Sequence, residues 1–217
     1  MHISTLLEQH PALASCENAV LAAGELMIDI YRTGNKILLC GNGGSAADCD
    51  HITGELLKGF LSRRPLSAID RMALEVANQD EDTGEKDPDI PLLASQLQGA
   101  LPAISLPNQT ALISAFCNDV DASLVYAQLV WGLGREGDLL ICLSTSGNSR
   151  NVILAAKAAK AKGMVTLALT GESPSALSDI CDLTVHAPAT ETYRVQEYHL
   201  PIYHYLCATV EEAFFEG

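Results

Sequence analysis

Two hydroxyl- and glycine-rich turns and two histidine-bearing segments carry the side chains of this sequence that could do chemistry. The turn Ser144-Thr-Ser-Gly-Asn-Ser149 gathers the hydroxyls of Ser144, Thr145, Ser146 and Ser149 ahead of a helical pattern starting near Asn148. A helix N-terminus offers unsatisfied N–H donors and a positive dipole end, so this turn suits a phosphate; one of its serines could equally serve only as a helix cap. Cys40-Gly-Asn-Gly-Gly-Ser45 occupies the same position after another apolar run. Its glycines let backbone N–H groups approach a ligand, or simply make a tight turn. It is neither GxGxxG nor a P-loop, so nucleoside triphosphate binding has no support.

His51 and Glu55 lie four residues apart on the helix expected after the first turn, hence on one face. That spacing suits metal ligation or acid/base work, and also an ordinary helix-surface contact. Near the C-terminus, Tyr193 to His204 places Gln196, His199 and His204 within a short helical stretch, with Pro201 as a candidate kink. Gln196 and His204, eight apart, fall close to one face, although both imidazoles would also fit a core or an interface.

These residues must be held by a scaffold, and the apolar pattern predicts one. Lys36–Cys40, Asp138–Leu143, Met164–Thr170 and Asp182–His186 read as strands, and Leu101–Leu106 as a return to the sheet. Helical patterns run from about Cys16 to Tyr31, where Gly34 follows as a stop, from Ala46 to Phe60, and from Asn151 to Lys162. Strands alternating with helices predict an α/β fold, a single doubly wound parallel sheet flanked by helices. The expected organisation is one domain over 1–217, with N-terminal helices over about 1–33 and an acidic excursion over about 66–99. Within that excursion Met72–Val76 and Pro91–Leu97 are expected to form short helices around a dense acidic stretch.

Composition limits the partners. The 217 residues are 48% hydrophobic and 18% charged, the balance of a well-cored globular chain, and 13 Lys plus Arg against 27 Asp plus Glu give a net charge of −14. That field repels nucleic acid and anionic membranes, so neither is an expected partner. An anionic substrate must then be gripped by local N–H and hydroxyl donors. The first residues lack a basic and apolar signal pattern, and no apolar run approaches a membrane span, so the expected location is the cytoplasm. The seven cysteines are scattered, without a CxxC pair, and are expected to be reduced core residues.

Taken together, CGNGGS, the His-xxx-Glu pair beyond it, the STSGNS turn, the VQExH segment with its later His, Gly134-Arg-Glu-Gly-Asp138 and Asn118-Asp119 resemble the sugar isomerase (SIS) domain family, and within it the bacterial phosphoheptose isomerases. The resemblance spans nearly the whole chain. It implies a three-layer, flavodoxin-like or Rossmann-like sandwich and a homotetramer with active sites at subunit interfaces. It implies that Ser144, Thr145, Ser146 and Ser149 bind the substrate phosphate, while Asn42, Gly43, Gly44, Ser45, Asp119 and Gln196 help hold the sugar. It also implies one zinc per subunit on His51, Glu55, Gln196 and His204, a chemically sensible set although a Gln oxygen is a weak ligand. The reaction implied is aldose–ketose isomerisation of sedoheptulose 7-phosphate to D-glycero-D-manno-heptose 7-phosphate through a cis-enediol, with Glu55 as base and His204 as acid.

Two other readings remain at this stage: an isomerase of another phosphosugar, and a non-catalytic sugar-phosphate-binding regulator of the same family. Non-catalytic relatives lack the carboxylate and final histidine that Glu55 and His204 supply here, which favours an enzyme. In this chain Tyr193 stands where many family members place an acidic residue.

Overall fold

The apolar runs are continuous rather than alternating because both faces of the sheet they form are covered. A computed structural model describes residues 2–78 and 87–215. Its five strands, β1 (Ile37–Gly41), β2 (Ala103–Ser105), β3 (Leu139–Leu143), β4 (Val165–Thr170) and β5 (Leu183–His186), make one parallel sheet of order β2-β1-β3-β4-β5. The register pairs Cys40 with Cys142 and Leu140 with Thr166. Ile37, Leu39, Leu139, Ile141, Leu143, Leu167 and Leu169 join one core cluster, while Leu38, Cys40, Leu140, Cys142 and Ala168 join another on the opposite face. With successive side chains pointing to opposite faces, nearly every position in such a strand is apolar, and the buried hydroxyls of Ser105, Thr166 and Thr170 are hydrogen-bonded.

The first cluster is closed by α1 (Ile3–Gln9), α2 (Glu17–Arg32), α3 (Gly44–Leu57) and the long α10 (Thr192–Phe215). The second is closed by α7 (Val125–Leu133), α8 (Arg150–Ala161) and α9 (Ala176–Ile180), with α6 (Thr110–Asp119) outside them. The result is the expected doubly wound α/β fold, with strand order and layers of the flavodoxin type. Pro201 lies within α10, which runs from Thr192 to Phe215 as one helix.

The acidic excursion leaves and re-enters at a single point. Pro65 and Gln98 form an antiparallel bridge, and the Gly99 N–H donates to the Arg64 carbonyl at 2.7 Å. Its flanks form α4 (Ala68–Ala77) and α5 (Ile90–Gln96); the first contains the expected Met72–Val76, and the second stops one residue short of the expected Pro91–Leu97 because Leu97 is extended. No residue of α4 is buried, and Ile69, Met72 and Val76 face outward. The acidic stretch between them lies largely at 79–86, outside the described residues.

The cysteine expectation needs one correction. Cys16, Cys40, Cys49, Cys142 and Cys207 are buried, but Cys181 is half-buried and Cys117 is exposed on α6, a helix without buried residues. All seven are free thiols.

Candidate active site

Strand order alone picks out one crevice. From β1 the chain continues to β2 on one side, while β3 pairs on the other, so the carboxyl ends of β1 and β3 flank a topological switch point where ligands bind in open α/β sheets. The two polar turns of the sequence meet there. Asn42, Gly43, Gly44, Ser45, Leu143, Ser144, Thr145, Ser149, Thr192 and Gln196 line a cavity of ≈ 290 Å³.

Hydrogen bonds show what the hydroxyls are free to do. Ser149 stands at the N-terminus of α8 but makes no side-chain cap; its Oγ instead accepts from the Ser144 hydroxyl at 3.1 Å. Helix α3 likewise starts without a side-chain cap. Two helices therefore point N-termini without side-chain caps at one cavity, an arrangement chemically suited to an anion. The turn is anchored from below: Gly171 N–H donates to the Thr145 carbonyl at 3.0 Å, and Leu177 N–H to the Gly147 carbonyl at 3.1 Å. Gly147 has φ +64°, and a Cβ there would collide with the Ser175 hydroxyl, so the turn requires glycine. Asn42 and Asn151 exchange amide hydrogen bonds of 2.9 and 2.8 Å, joining the two turns.

A second cluster sits further along α3 and α10, which run side by side. Gly44 abuts Gln196 so closely that a Cβ would enter its amide, His51 meets Tyr203 and His204, and the Phe60 N–H donates to Glu211. Contacts that advance together along both helices make the pair parallel. Seven or eight residues of rise separate the cavity from the His51 and His204 level, about 10–12 Å.

At that level His51 Nδ1 lies 3.0 Å from the Tyr203 hydroxyl, which donates to Asp48 at 3.3 Å. On the other side of the ring His51 Nε2 lies 3.3 Å from Glu55 Oε1, so the imidazole bridges Tyr203 and the carboxylate. Glu55 Oε2 accepts from Lys58 Nζ at 2.6 Å. The His204 ring centroid is 5.0 Å from that of His51, and its buried Nε2 has no partner among the described residues. Burial lowers the His204 pKa, the positive charge of His51 acts the same way, and Glu55 opposes both. Burial raises the Asp48 pKa against the Tyr203 hydrogen bond and the His51 charge. Among the described residues no three His, Cys, Asp or Glu side chains converge as a ready metal cage. The His51–Glu55 pair and the unpartnered His204 nitrogen are what this cluster offers a cation.

The structure thus gathers Asn42, Gly43, Gly44, Ser45, Ser144, Thr145, Ser149 and Gln196 at the cavity, and His51, Glu55 and His204 two turns beyond. It does not bring in Ser146, which is exposed and accepts from the Asn148 N–H at 3.2 Å. Nor does it bring in Asp119, which is exposed at the end of α6 with its carboxylate accepting from the Asn118 amide. His199 is fully buried, its Nε2 3.2 Å from the Thr170 carbonyl, and so belongs to the core. Leu143, Thr192, Asp48 and Tyr203 were missed. Asp48 and His51 are three apart on α3, and that spacing was the available signal for Asp48.

A family model of the SIS domain matches residues 3–87 and 93–171, its break falling inside the acidic excursion. The chain is 35% identical over 211 residues to the phosphoheptose isomerase of Aneurinibacillus thermoaerophilus, covering 93% of this chain and 89% of that one. Among solved structures, the phosphoheptose isomerase of Francisella tularensis superposes with a TM-score of 0.74 at 28% identity, covering 96% of this chain and 93% of that one. That of Neisseria gonorrhoeae gives 0.71 at 29%, with 96% of both chains covered. The chain belongs to the SIS domain family and, within it, to the phosphoheptose isomerases.

Proposed function

We propose that this chain is an aldose–ketose isomerase converting sedoheptulose 7-phosphate to D-glycero-D-manno-heptose 7-phosphate through a cis-enediol. The observation that carries the reading is the parallel α3–α10 pair. It sets an uncapped anion cavity at one end and a carboxylate with two imidazoles at the other. The separation of about 10–12 Å suits a seven-carbon chain with phosphate on one end and the reacting C1–C2 unit on the other.

In this reading Ser144, Thr145, Ser149 and the N–H groups of α3 and α8 hold the phosphate, offsetting the unfavourable field of a chain with net charge −14. Asn42, Gly43, Gly44, Ser45 and Gln196 hold the sugar between the two ends. Ser146 shapes the turn through its bonds to Asn148. Glu55 moves the proton between C1 and C2, and His204, which burial keeps toward the neutral imidazole, exchanges a proton with the sugar oxygens. Lys58 and His51 hold the two oxygens of Glu55 in place.

Zinc is part of the proposal: His51, Glu55 and His204 would hold it, whereas Gln196, expected as a fourth ligand, lies at the cavity about 10–12 Å further back along α10 and is not placed to join them. The adjacent His51 and Glu55 and the unpartnered His204 nitrogen support it, and imidazole and carboxylate are ordinary zinc ligands. When bound, the ion supplies polarisation of the substrate carbonyl and stabilisation of enediolate charge. The homotetramer with interface sites belongs to the same reading. Exposed apolar side chains such as Ile69 and Met72 on α4 and Trp131 on α7 are surface for it to cover, and in this reading the exposed Asp119 serves a neighbouring subunit's site. A cytoplasmic location is supported by seven free thiols and by the lack, among the described residues, of a helix long and apolar enough to cross a membrane.

The test is turnover of sedoheptulose 7-phosphate by purified protein, beside Glu55→Gln, a chelated sample restored with zinc, and fructose 6-phosphate as competing substrate. The parent should turn over the heptose. Glu55→Gln should lose about 10²-fold or more in kcat with inorganic phosphate affinity retained. Parental turnover in Glu55→Gln would remove it as base. Turnover of the hexose alone would reassign the substrate, and tight phosphosugar binding without turnover would make the chain a regulator.

A further inference from the structure

We propose that Arg64 and Glu211, a buried ion pair outside the substrate cavity, are positioning residues that fix the general base Glu55 and the wall behind His204; this rests on Glu55 being the base. Arg64 is the largest fully buried side chain among the described residues, with 0% exposure, and Glu211 is 1% exposed. Arg64 Nε donates to Glu211 Oε1 at 2.8 Å, its Nη1 to the Leu56 carbonyl at 2.8 Å and its Nη2 to the Glu55 carbonyl at 3.0 Å. Glu211 in turn accepts from the N–H groups of Phe60, Leu61 and Ser62 at 2.7, 2.7 and 3.1 Å. The guanidinium also lies 4.7 Å from the Phe215 ring centre.

The targets of these bonds are what assign the role. Helix α3 ends at Leu57, and Lys58 is extended at φ −139° and ψ 171°, so the last carbonyls of the helix lose their usual i+4 donors. Glu55 stands in that terminal turn, the part of a helix that frays. Arg64 replaces the missing donors at Glu55 and Leu56 themselves, and its positive charge suits the negative end of the helix dipole. Through the Phe60 N–H, Glu211 also places the Phe60 ring, which stacks on His204 with centroids 5.4 Å apart and planes tilted by 37°. One ion pair thereby reaches both residues of the proposed proton transfer while touching neither reacting side chain.

Energetics point the same way. A buried ion pair is often no more stabilising than an apolar pair of the same volume, because both charges must be desolvated. What an apolar pair cannot do is bind two carbonyls and three N–H groups of the segment that carries the base. The clamp therefore contributes register, and a misplacement of about 1 Å near a reacting centre can cost about 10²-fold in rate.

Two variants test this. Arg64→Lys keeps the charge and loses the fork; Arg64→Met combined with Glu211→Leu removes both charges and restores an apolar core. For each, kcat, KM, inorganic phosphate affinity, solvent deuterium exchange into substrate, and Tm are measured on the full-length protein. The expected result in both is KM and phosphate affinity within about twofold of the parent and kcat and exchange lower by about 10- to 100-fold, whatever Tm does. A double variant with parental kcat would overturn the proposal. If the double variant does not fold, parental kcat in Arg64→Lys, assayed well below its Tm, overturns it instead. Glu55→Gln separates the two layers: full activity there defeats the base and the clamp together, whereas an inactive Glu55→Gln beside a fully active Arg64→Lys defeats the clamp alone.

Discussion

Acidification from pH 7 to pH 5 should weaken this fold through one buried histidine, and replacing that histidine should remove the effect. His199 is fully buried on α10, and burial holds its pKa at about 4 against an ordinary 6.5, although its bond to the Thr170 carbonyl pulls the other way. At pH 7 neither the folded nor the unfolded chain protonates this ring appreciably. Below pH 6.5 the unfolded chain gains a proton that the folded chain refuses until about pH 4, so stability present above 6.5 is lost progressively across that window. The linkage integral gives a loss of about 2 kcal/mol at pH 5, approaching about 3 kcal/mol below pH 4. His199→Gln keeps an N–H donor for the Thr170 carbonyl and cannot titrate. Urea unfolding of both proteins at pH 7 and pH 5, at one fixed protein concentration, isolates the residue. The parent should lose about 2 kcal/mol more than the variant between the two pH values. His204 also has a lowered pKa and contributes in the same direction, but equally in both proteins. The carboxyls of Glu211 and Asp182, held below their usual values by their hydrogen-bond donors against the cost of burial, stay ionised at pH 5. Identical pH dependence in parent and variant would refute the assignment of a neutral buried His199.

Ser149→Ala should raise KM for the phosphosugar about tenfold, as expected for a hydrogen bond to a charged group, because Ser149 lines the cavity and is not spent as a cap. Ser146→Ala, at the exposed tip of the turn, should change KM less; steady-state kinetics of the two decide whether lining or mere membership of the turn matters. Asp138→Asn should cost about 2–3 kcal/mol in urea unfolding, since this buried carboxylate accepts from the Lys36 N–H and ammonium and from the Arg135 N–H. It should leave KM unchanged, because it lies at the amino ends of β1 and β3, opposite the cavity; a shifted KM would contradict that separation.

The strands were legible because each is decided locally. Four residues of β1 and all five of β3 are apolar, as burial on both sides demands, and no partner need be known to read them. The two turns were legible for the same reason, since glycine and hydroxyl residues at strand ends report backbone demands within a few positions, such as the positive φ at Gly147. His51 and Glu55 could be paired because four residues on one helix fix their proximity without any fold.

What periodicity leaves open is which other apolar face each helix meets. It shows that α3 and α10 have buried faces, but the tertiary fold sets them parallel and brings His51 to Tyr203 across 152 residues of chain. The same ambiguity covers hydroxyl partners: Ser149 is as good a cap as any serine in sequence, and only the fold turns it toward Ser144. Arg64 and Glu211 are the extreme case. Charged residues are expected at the surface, and nothing within a few positions of either shows that the two will be buried together, 147 residues apart. Sequence determined the elements, their order and the residue types at the strand ends, because those follow from contacts each segment makes with solvent or with itself. Tertiary structure alone decided which side chains converge, because convergence depends on the packing of segments that share no local signal.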